Sequence, residues 1–146
     1  NHVIDNIWVS NLPRNRNHNI IRQFDLIISF LDTNEVGLAE TAWINDVPHI
    51  TYHQIPAVDY NPLTISNYKE MNETIDYYLK WKPSAKILLH CYSGKGRSNS
   101  AMCAYIIYKH KLPPSEAINI TESKIPRSNM NKLQKESLDL YYKSLL

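Results

Sequence analysis

The sequence predicts an α/β fold: one domain over residues 1–146, with a short, mainly parallel central β-sheet flanked by helices on both faces. Three observations carry this expectation. Leu26-Ile27-Ile28-Ser29-Phe30 and Ile87-Leu88-Leu89 are unbroken apolar runs of strand length, as a sheet covered on both sides requires. Segments with apolar residues at three- and four-residue spacing follow the strands repeatedly, as crossover helices do. A chain of 146 residues, 43% apolar and 21% charged, is long enough and apolar enough for one core.

The elements follow in order. Ile7-Trp8-Val9 is a short strand, followed by a polar turn over Asn11 to Asn17. Asn19 to Phe24 gives a helical turn or two before the Leu26–Phe30 strand, and Glu35 to Trp43 a short helix after it. Ile50 to Ile55 is a further strand, closed by a loop between Pro56 and Pro62. Thr64 is placed to cap a helix running to Trp81, with Tyr68, Met71, Ile75, Tyr78 and Leu79 on one side and Pro83 beyond its end. The Ile87–Leu89 strand leads through a tight loop into a helix from Arg97 to His110. Pro113-Pro114-Ser115-Glu116 opens another through Ser123, since proline is tolerated in a first helical turn. Ser128 to Leu145 forms the last.

Composition excludes several classes. The net charge of +2 gives no basic face for nucleic acid or an anionic membrane. Two cysteines, Cys91 and Cys103, are too few for a disulfide scaffold or a Cys-rich zinc module. No apolar run reaches the length of a membrane span, and Asn1 to Asp5 lacks the form of a signal peptide. A cytoplasmic, reducing setting without a membrane anchor is therefore expected. There are only three glycines, and two of them, Gly94 and Gly96, lie together; the third is Gly37.

That pair sits in His90-Cys91-Tyr92-Ser93-Gly94-Lys95-Gly96-Arg97-Ser98, a strand-loop-helix junction. Where a glycine-containing loop runs into a helix N-terminus, several backbone N–H groups converge and the helix dipole adds positive charge, so the junction binds anions. Glycines permit the backbone angles such a cradle needs. Arg97 supplies a planar fork that grips two phosphate oxygens. A cysteine at the base of the cradle is favoured as a thiolate by those N–H groups and by the arginine, and a thiolate facing phosphorus is a nucleophile for phosphoryl transfer. Cys103 lies mid-helix among Ala101, Met102, Ala104 and Tyr105 and reads as a buried inert thiol.

His90-Cys91-(x5)-Arg97-Ser98 resembles the active-site loop of the cysteine-dependent protein phosphatases, in their small, atypical dual-specificity branch. The resemblance extends over nearly the whole chain. Ile4 to Asn11 is similar to the family's opening strand and turn, Ala104-Tyr105-Ile106-Ile107 and Ser115-Glu116-Ala117-Ile118 to its text after the loop, and Ser128-Asn129 with Leu133-Gln134 to the start of its last helix. The abundance of residues with A/T-rich codons, together with small size, resembles the phosphatases carried by large insect-infecting or pox-type viruses. The resemblance implies a protein phosphatase acting on phosphorylated protein substrates through a cysteinyl-phosphate. It implies Cys91 as nucleophile, Arg97 as phosphate ligand, and Ser98 as the hydroxyl that helps the thiol leave. The loop Tyr92, Ser93, Gly94, Lys95, Gly96 and Arg97 would hold the phosphate, with His90 orienting the loop.

A departing alkoxide or phenoxide also needs a proton, and the donor must come from outside the electropositive cradle. Asp59, on the loop after the Ile50–Ile55 strand, stands where the family carries its acid; Asp32 and Asp46 are weaker rivals. Lys124 and Arg127 stand where the family often holds a second phosphate. His49 and His53 have no acidic or cysteine partner in the sequence to make a metal site, and no metal or organic cofactor is expected, since Arg97 and the loop dipoles supply the electrostatics. Gly94-Lys95-Gly96-Arg97 is similar to phosphoinositide phosphatases too, but those carry a lysine where this chain has Tyr92. A lipid or RNA 5′-phosphate phosphatase with the same chemistry is the alternative; a non-catalytic phosphate-binding module would have lost the Cys, Arg or acid. Segments ahead of the acid are short, so a shallow pocket admitting phosphoserine and phosphothreonine as well as phosphotyrosine is expected.

Overall fold

The computed structural model describes residues 1–14, 18–36 and 47–146. Five strands form one sheet: β1 (His2–Ile4), β2 (Ile7–Ser10), β3 (Leu26–Ser29), β4 (Thr51–Gln54) and β5 (Ile87–His90). Their order is β1-β2-β5-β3-β4. β5 lies between β2 and β3, parallel to both, and β4 runs parallel to β3; only β1 is antiparallel. Register places Ser10 and Ser29 on either side of His90, so three strands end together where Cys91 begins.

Alternation along the strands builds two cores. Val9, Leu26, Ile28 and Leu89 face one side, against α3 (Ile65–Trp81), α4 (Arg97–His110), α5 (Pro114–Lys124) and α6 (Lys132–Ser144). Ile27 and Leu88 face the other, with Ile21 of the one-turn helix α1 (His18–Ile21), Phe24, Val47 and Ile50. Both faces of β3 and β5 are buried throughout, which is why their sequences run apolar without alternation. α4 is buried from Arg97 to Ile107, ringed by the other long helices, so it carries no polar stripe. Each large aliphatic side chain removed from water here contributes about 1.5–3 kcal/mol.

The starts of α3, α4 and α5 sit where predicted, while α1 is shorter than expected, ending at Ile21 rather than Phe24. Thr64 caps α3 in a reciprocal box with Asn67. Pro113 precedes Pro114 at the start of α5. α6 begins at Lys132 rather than Ser128, because the capping residue is Asn131, boxed with Gln134. The strand β1 carried too little pattern to be read in three residues. It is turned back onto β2 through Asp5, whose φ of 52° a short polar side chain tolerates. The Asp5 carboxylate then accepts bonds from Tyr105 Oη at 2.7 Å and His110 Nε2 at 2.8 Å, fastening the hairpin to α4. The helix expected over Glu35 to Trp43 is described as one turn, α2 (Thr33–Val36); its remainder, with Gly37 and Asp46, lies outside the described residues, as does the end of the turn expected through Asn17. No helix among the described residues is long and apolar enough to cross a membrane.

Candidate active site

The loop from Cys91 to Gly96 joins β5 to α4, and its carbonyls are held from outside. Leu12 N–H donates to Tyr92 O at 3.1 Å, Asn99 Nδ2 to Gly94 O at 3.0 Å, Asn129 N–H to Lys95 O at 2.7 Å and Ser100 N–H to Gly96 O at 2.9 Å. With the carbonyls engaged outward, Gly94 N–H points inward to Cys91 Sγ at 3.3 Å. Gly94 has φ of 73°, and a Cβ there would lie 2.8 Å from the Asn11 amide nitrogen; both conditions demand glycine. A Cβ on Gly96 would lie 2.8 Å from both terminal atoms of the Gln134 side chain. Gly94 is thus explained by the close approach of the Ser10–Asn11 backbone, whereas Gly96 lies against the side chain of Gln134 in α6.

Cys91 is buried at the base of this loop, and Ser98 Oγ lies 3.2 Å from its sulfur. Arg97, the first residue of α4, is completely buried. Its Nη1 donates to Phe30 O at 3.1 Å and Ala57 O at 2.8 Å, and Nη1 and Nη2 clasp the two Glu35 oxygens at 2.5 and 3.0 Å. Burial alone would lower the guanidinium pKa, but the Glu35 bond and the neighbouring Cys91 and Asp59 charges raise it overall. The Arg97 bond in turn holds the Glu35 carboxyl below its ordinary value, against the opposing effect of burial. Arg97 Nε has no hydrogen-bond partner. Asp59 Oδ1 stands 3.5 Å from it as an ion pair without a hydrogen bond.

The Asp59 carboxylate is 41% exposed, at the mouth of the site, and accepts Tyr60 N–H at 3.0 Å. Its rival Asp32 is engaged in the turn that starts α2, accepting from Thr33 Oγ1 and Asn34 N–H. His90 is fully buried and desolvation pushes its pKa down to about 4. It is therefore neutral. Its Nδ1 lies 3.2 Å from the Cys91 carbonyl, which can only accept, so Nδ1 carries the proton and Nε2 accepts from Tyr52 Oη at 3.1 Å. A neutral buried imidazole cannot attack or protonate substrate; it fixes the Cys91 peptide. Protonation in the unfolded chain begins near the ordinary histidine value of about 6.5. Stability should therefore be lost as pH falls from there to about 4, by roughly 3 kcal/mol. Denaturant midpoints across that range test this, and the slope should flatten in His90→Gln.

Tyr92, Ser93 and Lys95 are exposed on the loop. Arg127 is exposed beside a cleft of about 290 Å³ lined also by Ser10, Asn11, Ser93 and Gly94; Lys124 is exposed and does not line it. His53 pairs with Glu70 at 2.9 Å, and His49 Nε2 meets the Arg22 carbonyl at 2.6 Å. Cys103 is buried beside Thr121 Oγ1, and burial pushes its thiol up to about 12, an inert group. Sequence reasoning missed Glu35, Asn99, Asn129, Asn131 and Gln134. The last two had a visible signal, an Asn-x-x-Gln capping box; Glu35 had none.

Cys91, Ser98, Arg97 and Asp59 thus meet around one point at the carboxyl ends of the strands. The model of the dual specificity phosphatase catalytic domain matches residues 10–144. The chain belongs to that family. A probable dual specificity protein phosphatase of Dictyostelium discoideum is 29% identical over 114 residues, covering 77% of this chain and 50% of the relative, so the chain spans about half that protein's length. Among solved structures, Tk-PTP in a mutant form superposes with TM-score 0.87 at 20% identity, covering 99% of this chain and 95% of the other. PTPMT1 in complex with PI(5)P gives 0.83 at 20% identity, covering 99% and 95%. At these identities the structural likeness is one of fold, and it is the dual specificity phosphatase fold that this chain adopts.

Proposed function

We propose that residues 1–146 act as one catalytic domain that hydrolyses phosphotyrosine and phosphoserine or phosphothreonine in protein substrates, in the cytoplasm. One observation carries the reading: the fully buried Arg97 guanidinium leaves its Nε without a hydrogen bond, with the Asp59 ion pair beside it, while the rest of the head is tied to Glu35, Phe30 and Ala57. A buried guanidinium N–H without a hydrogen-bond acceptor costs free energy unless a ligand oxygen supplies one, and a phosphate oxygen is such an acceptor.

The Cys91 thiolate attacks phosphorus. The P–O ester bond breaks and the departing oxygen takes a proton from Asp59. Arg97 and the loop N–H groups hold the non-bridging oxygens as their charge rises. Asp59, now a carboxylate, takes a proton from water; the hydroxide attacks phosphorus, the S–P bond breaks, and the Ser98 hydroxyl stabilises the returning thiolate. Inorganic phosphate leaves. The Asp59 carboxylate is 41% exposed, and a shallow site around it suits the shorter alkyl phosphates as well as phosphotyrosine. The phosphoinositide alternative lacks a cation after Cys91, where Tyr92 stands.

Asp59→Asn tests the assignment. It should lower kcat by about 10²–10⁴-fold on alkyl phosphates and phosphotyrosine peptides, and much less on p-nitrophenyl phosphate, whose leaving group needs little help. Equal losses on both would point to another acid. Phosphopeptide, phosphoinositide and 5′-triphosphorylated RNA assayed side by side decide the substrate class.

A further inference from the structure

The acid loop is pinned on both sides of Asp59. On one side Arg97 Nη1 holds Ala57 O at 2.8 Å. On the other, Asn131 Nδ2 holds Tyr60 O at 2.7 Å, and Gln134 Nε2 reaches Asn61 O at 3.5 Å. Tyr60 has φ of 64°, a left-handed conformation that is unfavourable for a residue with a Cβ. That conformation turns its carbonyl to Asn131 while its own N–H donates to Asp59 Oδ1. The start of α6 and the segment leading into it also grip the phosphate loop. Asn129 N–H holds Lys95 O, and the buried Gln134 side chain lies against Gly96.

From this we infer that Asn131, with Gln134, is a positioning residue for general-acid catalysis. It sets Asp59 relative to Cys91 and Arg97 by referring both loops to the first turn of α6. The inference rests on the proposed phosphatase mechanism. Capping does not require the tie to Tyr60: Asn131 Oδ1 caps α6 through Gln134 N–H, while the separate Nδ2 holds the acid loop. A serine or aspartate can take over the cap but not the second bond.

The test is Asn131→Ser and Asn131→Asp, each alone and combined with Asp59→Asn. Displacement of a catalytic group by about 1 Å costs on the order of 10²-fold. Alone, each should lower kcat on a phosphotyrosine peptide ten- to a hundredfold, leave its KM unchanged, and leave p-nitrophenyl phosphate turnover within about twofold. In the Asp59→Asn background neither should cause further loss. Equal loss on both substrates, or the same loss without Asp59, overturns the positioning role. So does unfolding of both variants, which would make Asn131 a structural residue only. If Asp59→Asn alone shows no preference for the better leaving group, it is the mechanism that fails rather than this inference.

Discussion

Cys91→Ser should remove turnover, by on the order of 10⁵-fold or more, while the protein still folds and binds inorganic phosphate. Serine is nearly isosteric. Its oxygen can still accept from Gly94 N–H and bond Ser98 Oγ, the two contacts the sulfur makes. The loop carbonyls are held by Leu12, Asn99, Asn129 and Ser100, none of which touches the sulfur, so the cradle survives the exchange. What is lost is the nucleophile: an alcohol at neutral pH has no appreciable alkoxide, and no neighbouring base is free to make one, since His90 is bonded to the Cys91 carbonyl and to Tyr52. Calorimetric titration with phosphate and a phosphopeptide assay on the same preparation read the two halves. Turnover near the wild-type level would remove Cys91 from the mechanism.

Arg97→Lys should cost about 10³-fold in kcat/KM, although the charge is kept. The guanidinium bonds two backbone carbonyls and both Glu35 oxygens while its Nε remains for phosphate. An ammonium at the end of a flexible stem has three donors at one point and cannot span that set. The acid loop loses its Ala57 anchor at the same time. Glu35→Gln provides the contrast. It keeps an acceptor for the guanidinium but removes the charge, so its loss should be the smaller one. An Arg97→Lys enzyme within tenfold of wild type would show that the fork geometry is dispensable.

The architecture was legible because the signals were local. β3 and β5 are apolar on both faces, Thr64 caps a helix, and Pro114 opens another; each speaks through neighbours a few residues away. The Cys91–Ser98 loop was readable as a strand-loop-helix junction for the same reason, since one short stretch carries the proposed nucleophile, the glycines and the arginine. Glu35 was not, because a lone glutamate in a polar turn has the same sequence environment as any solvated carboxylate. Its meaning comes from Arg97, sixty-two residues away. The links of Asn129, Asn131 and Gln134 to the two loops are likewise properties of the assembled fold. The packing of Gly96 against the Gln134 side chain is a relation that no local pattern records. β1 escaped because three residues give one alternation.

The central place of β5 also bears on the order in which the molecule is built. Its ladder partners are Ile7–Ser10 and Leu26–Ser29, both far back in the chain, and no adjacent hairpin helps to align it. Contacts of such long sequence separation are slow to form, because the intervening chain must first be confined. The helices can nucleate from nearby residues, whereas the strand leading to Cys91 is inserted between two others and its loop then packed against α6, the last of the described helices. Catalytic competence is therefore expected late in folding: recovery of Cys91 reactivity after denaturation should lag behind recovery of helical signal, with the thiol outside its cradle through the interval.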